Sequence, residues 1–235
     1  MIIKKIIDGV LDLFLPNVCI VCGKDTGSSD SAVCQKCCDS IEYIIYPYCV
    51  TCFLPLPDGG AHCWKCRKTR YHFEKIVAAG KYTGILRELI LKFKEKKILK
   101  QTLGAVLLKI IEKQINISDI DALIPVPLSK KREFERGYNQ SQLLAEYIGG
   151  ITNKPVIPGN LIRVKDTIPQ FKLTREERLV NLKGAFFVKE PSAVKGKNII
   201  LIDDITTTCT TFEECSRILK QAGAGKIFCA ALARD

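Results

Sequence analysis

Four Cys-x-x-Cys pairs fall within one short stretch of the chain: Cys19/Cys22, Cys34/Cys37, Cys49/Cys52 and Cys63/Cys66. Each pair is a candidate zinc knuckle, and two knuckles supply the four thiolates of a tetrahedral structural site. Pairs at this spacing predict one or two Zn²⁺ sites. Sequential pairing gives Cys19/Cys22/Cys34/Cys37 and Cys49/Cys52/Cys63/Cys66, while interleaved pairing satisfies the same geometry. With four thiolates per ion no position is left for water, so such sites are scaffolding rather than catalytic. A lone pair could be a redox dithiol, but four of them outside a thioredoxin-like context argue against that. Cys38 is a spare beside a knuckle, and the two histidines, His62 and His72, are not needed as ligands.

The remaining cysteines, Cys209, Cys215 and Cys229, lie far away, so a uniform disulfide framework describes the chain poorly. A length of 235 residues accommodates one medium domain with a small companion. The expected division is residues 1–75, an N-terminal helix and zinc-binding module (a double zinc ribbon), and residues 76–235, a second domain that buries its own core. The net charge of +11 divides unequally. Residues 1–75 carry 9 basic and 8 acidic side chains, whereas residues 76–235 carry 27 and 17. The basic excess therefore belongs to the second domain, where it favours a polyanionic ligand.

The opening segment places Ile2, Ile3, Ile6, Ile7, Val10, Leu11 and Phe14 at helical spacing. Asp8 and Asp12 interrupt it, no small-residue cleavage site follows, and no stretch reaches the roughly 20 apolar residues of a membrane span. A short amphipathic helix packed on its own protein and a cytoplasmic location are expected, with no membrane span.

From residue 76 the pattern alternates between strands and helices. Ile76–Tyr82, Ala122–Val126, Asn198–Asp203 and Lys226–Leu232 read as strands, and Ala185–Lys189 as an accessory one. Leu86–Phe93, Leu99–Ile115, Ser141–Ile148 and Thr211–Ala222 read as helices. Such alternation predicts an α/β fold, a parallel sheet with helices on both faces. Thr174-x-x-Glu177 has capping-box spacing in a segment rich in breakers.

The chemistry concentrates at Asp203-Asp204-Ile205-Thr206-Thr207-Thr208-Cys209-Thr210-Thr211. A buried strand meets two carboxylates, then a hydroxyl-rich loop, then a helix near Thr211 with Glu214 at the capping-box position. Ligands of open α/β sheets bind beyond the carboxyl ends of strands. Backbone N–H groups and hydroxyls at a helix start suit a phosphate, and the carboxylates suit ribose hydroxyls or Mg²⁺. Ser129–Asn139 adds a basic loop in which Arg132 and Arg136 share a face if it is helical. Lys92, Lys94, Lys96 and Lys97 form a further basic run, and Phe134, Tyr138 and Phe171 are aromatics interleaved with this charge.

The segment around Asp203 and Asp204 resembles the phosphoribosyl-diphosphate-binding signature of type I phosphoribosyltransferases. That resemblance puts the ribose contacts on Asp203 and Asp204 and the 5′-phosphate contacts on Thr206, Thr207, Thr208, Cys209, Thr210 and Thr211. More narrowly, Asp121-Ala-Leu-Ile-Pro-Val-Pro-Leu128, Arg132, Arg136-Gly-Tyr-Asn-Gln140 and Leu143-Leu-Ala145 are similar to the ComF family of competence proteins. So are Arg163, Thr167, Gln170, Leu173, Arg178, Asn181, Phe186 and the closing Ala233-Arg234, together with Tyr82-x-Gly84 and Lys92.

The resemblance spans essentially the whole chain. It implies a type I phosphoribosyltransferase-like domain behind a double zinc ribbon, phosphoribosyl diphosphate with Mg²⁺ as ligand, and a link to DNA uptake and natural transformation. Asp203, Asp204 and Lys92 are then the candidate catalytic residues, and Arg132 and Arg136 the candidate diphosphate clamp. Single-stranded DNA and the helicase or recombination proteins of DNA uptake are candidate partners. The alternative is a non-catalytic adaptor that binds single-stranded DNA or senses a nucleotide.

The family usually has Gly where this chain has Cys209. If that backbone requires positive φ, a Cβ there is costly.

Overall fold

The computed structural model describes residues 18–27, 31–165, 182 and 184–235. The expected N-terminal helix, the capping box at Thr174, and the family positions Thr167, Gln170, Leu173, Arg178 and Asn181 lie outside these residues. Along the described chain run α1 (Gln35–Asp39), β1 (Lys75–Lys81), α2 (Gly84–Phe93), α3 (Lys100–Gln114), β2 (Ala122–Pro125) and α4 (Lys130–Arg136). They are followed by α5 (Gln140–Thr152), β3 (Leu161–Arg163), β4 (Phe186–Val188), β5 (Ile199–Thr206), α6 (Thr210–Gln221) and β6 (Ile227–Arg234). None of the described helices is long and apolar enough to cross a membrane.

Four strands form one parallel sheet in the order β1-β6-β5-β2. Both faces are covered, which is why β5 and β6 read as nearly continuous apolar runs. Successive residues of β5 point to opposite sides. Ile200 and Ile202 join the core under α2, α3 and α5. Ile199 and Leu201 join the core under α6 and the antiparallel β3–β4 ribbon. Many of these core side chains are completely buried, and each contributes about 1.5–3 kcal/mol relative to exposure.

The Cys-rich segment folds as two similar turns. Cys19 accepts a hydrogen bond from the Gly23 amide, and Cys49 accepts one from the Phe53 amide, each at 2.8 Å. The residue after each knuckle is left-handed, at φ 70° for Gly23 and 59° for Phe53. Phe53 bears that strain against the gain from complete burial and stacking on Tyr48, with ring centroids 4.0 Å apart.

The two turns join different cores. Cys19, Cys34 and Cys37 pack with the α2–α3–α5 side, and Cys49, Cys52 and Cys63 with the α6 side. Backbone bonds stitch the segment between them to β1: Ile44 N–H to Ala79 C=O at 3.1 Å, and Lys81 N–H to Glu42 C=O at 3.0 Å. Gly80 permits that approach, since a Cβ there would stand 2.7 Å from the Glu42 carbonyl oxygen.

The strand expected to end at Asp203 continues to Thr206. The partner decides this, for β6 pairs with Asp203, Ile205 and Thr206 beyond the apolar run. On the other edge β2 stops where Pro125 faces Ile202, and Pro127 has no N–H with which to continue a ladder. The carboxyl end of β5 is thus paired on one edge and open on the other, and the cleft forms beside it.

Candidate functional site: a basic cleft over the end of β5 and two thiolate clusters

The cleft has a volume of about 670 Å³ and is walled by residues from β5, the following loop, α2, α4 and the β2–α4 connection. Asp203, Asp204 and all of Thr206–Thr211 line it, as do Arg132 and Arg136. The two arginines do share a face of α4, whose N-cap Ser129 accepts from the Arg132 amide and whose C-cap Gly137 is left-handed at φ 72°. Arg136 donates to Gln140 Oε1 at 3.0 Å, which holds its guanidinium.

Lys92 stands elsewhere. On α2 the side chains that reach the cleft are Arg87, Leu91 and Lys94, spaced i, i+4, i+7. Lys92 points to another face and pairs with Glu88 at 3.4 Å. Of this lysine run it is Lys94, not the expected Lys92, that lines the cleft, because the buried Leu86, Leu89, Ile90 and Phe93 fix which face of α2 is turned inward. Burial pushes the Lys94 ammonium down, as do the charges of Arg136, Arg132 and Arg87, while Asp204 opposes them. Arg163 also lines the cleft.

Asp203 accepts from Ser141 Oγ–H and from the Asp204 amide, both at 2.9 Å. Burial and the adjacent Asp204 charge nevertheless hold its carboxyl well above the ordinary range. Ser141, on α5, is a partner of Asp203 that the sequence did not single out. A second cleft of about 500 Å³ shares Pro127, Leu128 and Arg163 with the first and is also lined by Lys130, Lys165 and Lys189.

Helix α6 starts at Thr210, one residue earlier than the sequence suggests, with Cys209 as N-cap. That shift removes Glu214 from the capping-box position. Its carboxylate instead accepts from Arg217 and from the Gly184 amide, and the Arg217 hydrogen bond draws its pKa down. Cys209 is left-handed, at φ 66° and ψ 1°, so the chain carries a Cβ where glycine is favoured. Its side chain is buried. A hydrogen bond from Cys52 lowers the Cys209 thiol pKa against burial, with Arg234 and Lys65 adding to the effect.

Cys19/Cys22/Cys34/Cys37 and Cys49/Cys52/Cys63/Cys66 gather in two clusters, with the four sulfurs of each within 4.8 Å of one another. The pairing is sequential. All are free thiols, with Cys22–Cys34 and Cys52–Cys63 sulfurs 3.7 and 3.8 Å apart. Zn–S bonds of about 2.3 Å in a tetrahedron give S···S edges of about 3.8 Å, so the donors fit Zn²⁺.

Burial raises Cys19 and Cys49, but backbone N–H groups of their own turns outweigh it and bring each to about 6. Burial raises Cys37. Such thiols settle as thiolates around a cation. Cys38 is outside both clusters. His62 contacts Thr51 Oγ1 at 3.1 Å, and His72 pairs with Glu213 at 2.6 Å. Neither histidine is a ligand.

Comparison with known proteins matches the double zinc ribbon domain family to residues 10–67. Competence protein F of Haemophilus influenzae is 31% identical over 222 residues, covering 92% of this chain and 96% of that protein. Competence protein ComFC of Bacillus subtilis is 30% identical over 206 residues, covering 83% and 80%. Among solved structures, the purine phosphoribosyltransferase from Pyrococcus horikoshii is similar, at 16% identity and a TM-score of 0.34, over 57% of this chain and 70% of that one.

Proposed function

The chain belongs to the ComF family of competence proteins, and from that premise we propose that it binds phosphoribosyl diphosphate with Mg²⁺ at the end of β5. The observation that carries the proposal is one loop, Thr206–Thr211, set between two carboxylates and a helix start and facing Arg87, Lys94, Arg132 and Arg136 across one cleft. In this reading the loop takes the 5′-phosphate, Asp203 and Asp204 take the ribose hydroxyls, and the cations take the diphosphate. Mg²⁺, when bound, supplies charge neutralisation on the diphosphate.

Transfer to an acceptor then requires little proton chemistry from the protein. The carboxylates and loop orient the sugar, and Arg132 and Arg136 stabilise the departing diphosphate as positive charge grows at C1. The neighbouring basic cleft is the place for an acceptor. We propose a cytoplasmic location and a role in DNA uptake; relatives named as competence proteins support the role.

The test is calorimetric titration with phosphoribosyl diphosphate and Mg²⁺. The wild type is expected to bind and Asp203→Ala/Asp204→Ala to lose binding. Absence of wild-type binding rejects the proposal.

A second reading, a single-stranded DNA adaptor, is favoured by Phe134, 91% exposed on the basic helix α4. Tyr138 does not serve equally, since its hydroxyl donates to the Phe93 carbonyl and Lys97 covers its ring at 4.9 Å. Phe171 lies outside the described residues. A stacked base is worth about 1–3 kcal/mol, so Phe134→Ala should weaken single-stranded DNA binding about tenfold. Salt-dependent DNA binding that is lost in Arg132→Ala/Arg136→Ala but kept in the Asp variants would assign the two ligands to separate groups.

A further inference from the structure

The hydroxyl loop is held from behind. Lys65, which lies between Cys63 and Cys66 of the second cluster, donates through Nζ to the Thr208 carbonyl at 2.7 Å. Arg234, buried at the end of β6, donates through Nη1 to the carbonyls of Thr206, at 3.3 Å, and of Thr207. Its Nε donates to the Cys52 carbonyl at 3.1 Å. Neither Lys65 nor Arg234 lines the cleft, whereas every residue from Thr206 to Thr211 does.

In a trans peptide the C=O and the following N–H point in opposite directions. Three consecutive carbonyls drawn to Arg234 and Lys65 therefore turn the amides of Thr207, Thr208 and Cys209 the other way. We propose that Lys65, carried between two ligands of the second thiolate cluster, is a positioning residue that holds the loop with its amides toward the cleft, so that the zinc module sets the anion-binding form of the site. Arg234 is the partner clamp, tied to the same module through the Cys52 carbonyl.

Zinc held by Cys49, Cys52, Cys63 and Cys66 would fix the turn from which Lys65 projects. The cluster's own donor geometry fits the ion. The cations behind the loop also raise its positive potential toward an anion. A module read from sequence as a separate scaffold is thereby part of the ligand site without contacting the ligand.

This rests on the phosphoribosyl diphosphate reading for its ligand, but the loop geometry is testable without any ligand. Lys65→Met keeps the apolar stem and removes the ammonium, and Lys65→Arg restores a donor. In ligand-free protein, Lys65→Met is expected to keep the wild-type zinc content while shifting the ¹⁵N–¹H resonances of Thr207, Thr208 and Cys209. Lys65→Arg is expected to return them toward wild type. Loss of one charged hydrogen bond predicts about tenfold weaker binding of phosphoribosyl diphosphate with Mg²⁺ in Lys65→Met, with recovery in Lys65→Arg.

Unmoved loop resonances in Lys65→Met with intact zinc overturn the proposal, and so does a failure of Lys65→Arg to restore them. If the wild type binds no phosphoribosyl diphosphate, the ligand assignment fails and the resonances alone still decide whether Lys65 positions the loop.

Discussion

Replacing Cys209 by Gly and, separately, by Ala divides its two opposing contributions to stability. At φ 66° an L-residue is strained, by about 1–2 kcal/mol. Ala retains that strain and loses the buried sulfur with its Cys52 contact. Gly loses the same sulfur and also releases the strain, at an unfolded-chain entropy cost of about 0.5–1 kcal/mol. The difference favours Gly over Ala by about 0.75 kcal/mol, taking the middle of each range. For a chain of this size that is about 2 °C in Tm.

The sulfur is worth a hydrogen bond plus its burial, about 1–2 kcal/mol. Both variants should therefore melt below an equally strained reference that keeps the thiol, with Ala lowest, about 2–8 °C below wild type. Thermal denaturation of zinc-saturated protein, followed by near-UV circular dichroism, reads the order. Ala melting at or above Gly would refute the claim that the backbone at Cys209 is strained. Ala melting level with wild type would refute the claim that the Cys209–Cys52 contact stabilises the loop.

Asp203 gives a pH-dependent prediction. Its native pKa lies above the ordinary carboxylate value of 3.8, so between the two the native state binds more protons than the unfolded chain, and this group's contribution falls as pH rises. Asp203→Asn, which keeps an oxygen for the Ser141 and Asp204 donors, should raise Tm at neutral pH, lose that advantage on acidification, and lose phosphoribosyl diphosphate binding; an unchanged Tm at pH 7 would contradict it. Gly80→Ala should cost about 1–3 kcal/mol, or about 2–12 °C in Tm, because its Cβ meets the Glu42 carbonyl. Limited proteolysis between residues 41 and 50 should rise in parallel, and a variant as stable and resistant as wild type would show that this seam is not tightly packed.

Much of the site was legible because it is local. Carboxylates at a strand end, followed within a few residues by hydroxyls and a helix, form a contiguous motif, and Arg132 and Arg136 came to one face through helical period alone. That Lys94 rather than Lys92 lines the cleft was not legible, because choosing among neighbouring lysines requires the rotation of α2 against the sheet, which burial of Leu86, Leu89, Ile90 and Phe93 sets. The β5 terminus was placed too early because hydrophobicity ends at Asp203 while pairing with β6 does not.

By itself the sequence determined the chemistry available: eight paired thiols, a parallel α/β pattern, two carboxylates before a threonine loop, and a basic second domain. Those are properties of residue type and short spacing. Tertiary structure decided the sequential pairing of the thiols, the left-handed backbone at Cys209, the choice of Arg87 and Lys94, and the ties from Lys65 to Thr208 and from Arg234 to Cys52. The last two join residues 143 and 182 positions apart. No periodicity relates groups so distant; packing of the second cluster against the α6 side of the sheet brings them together.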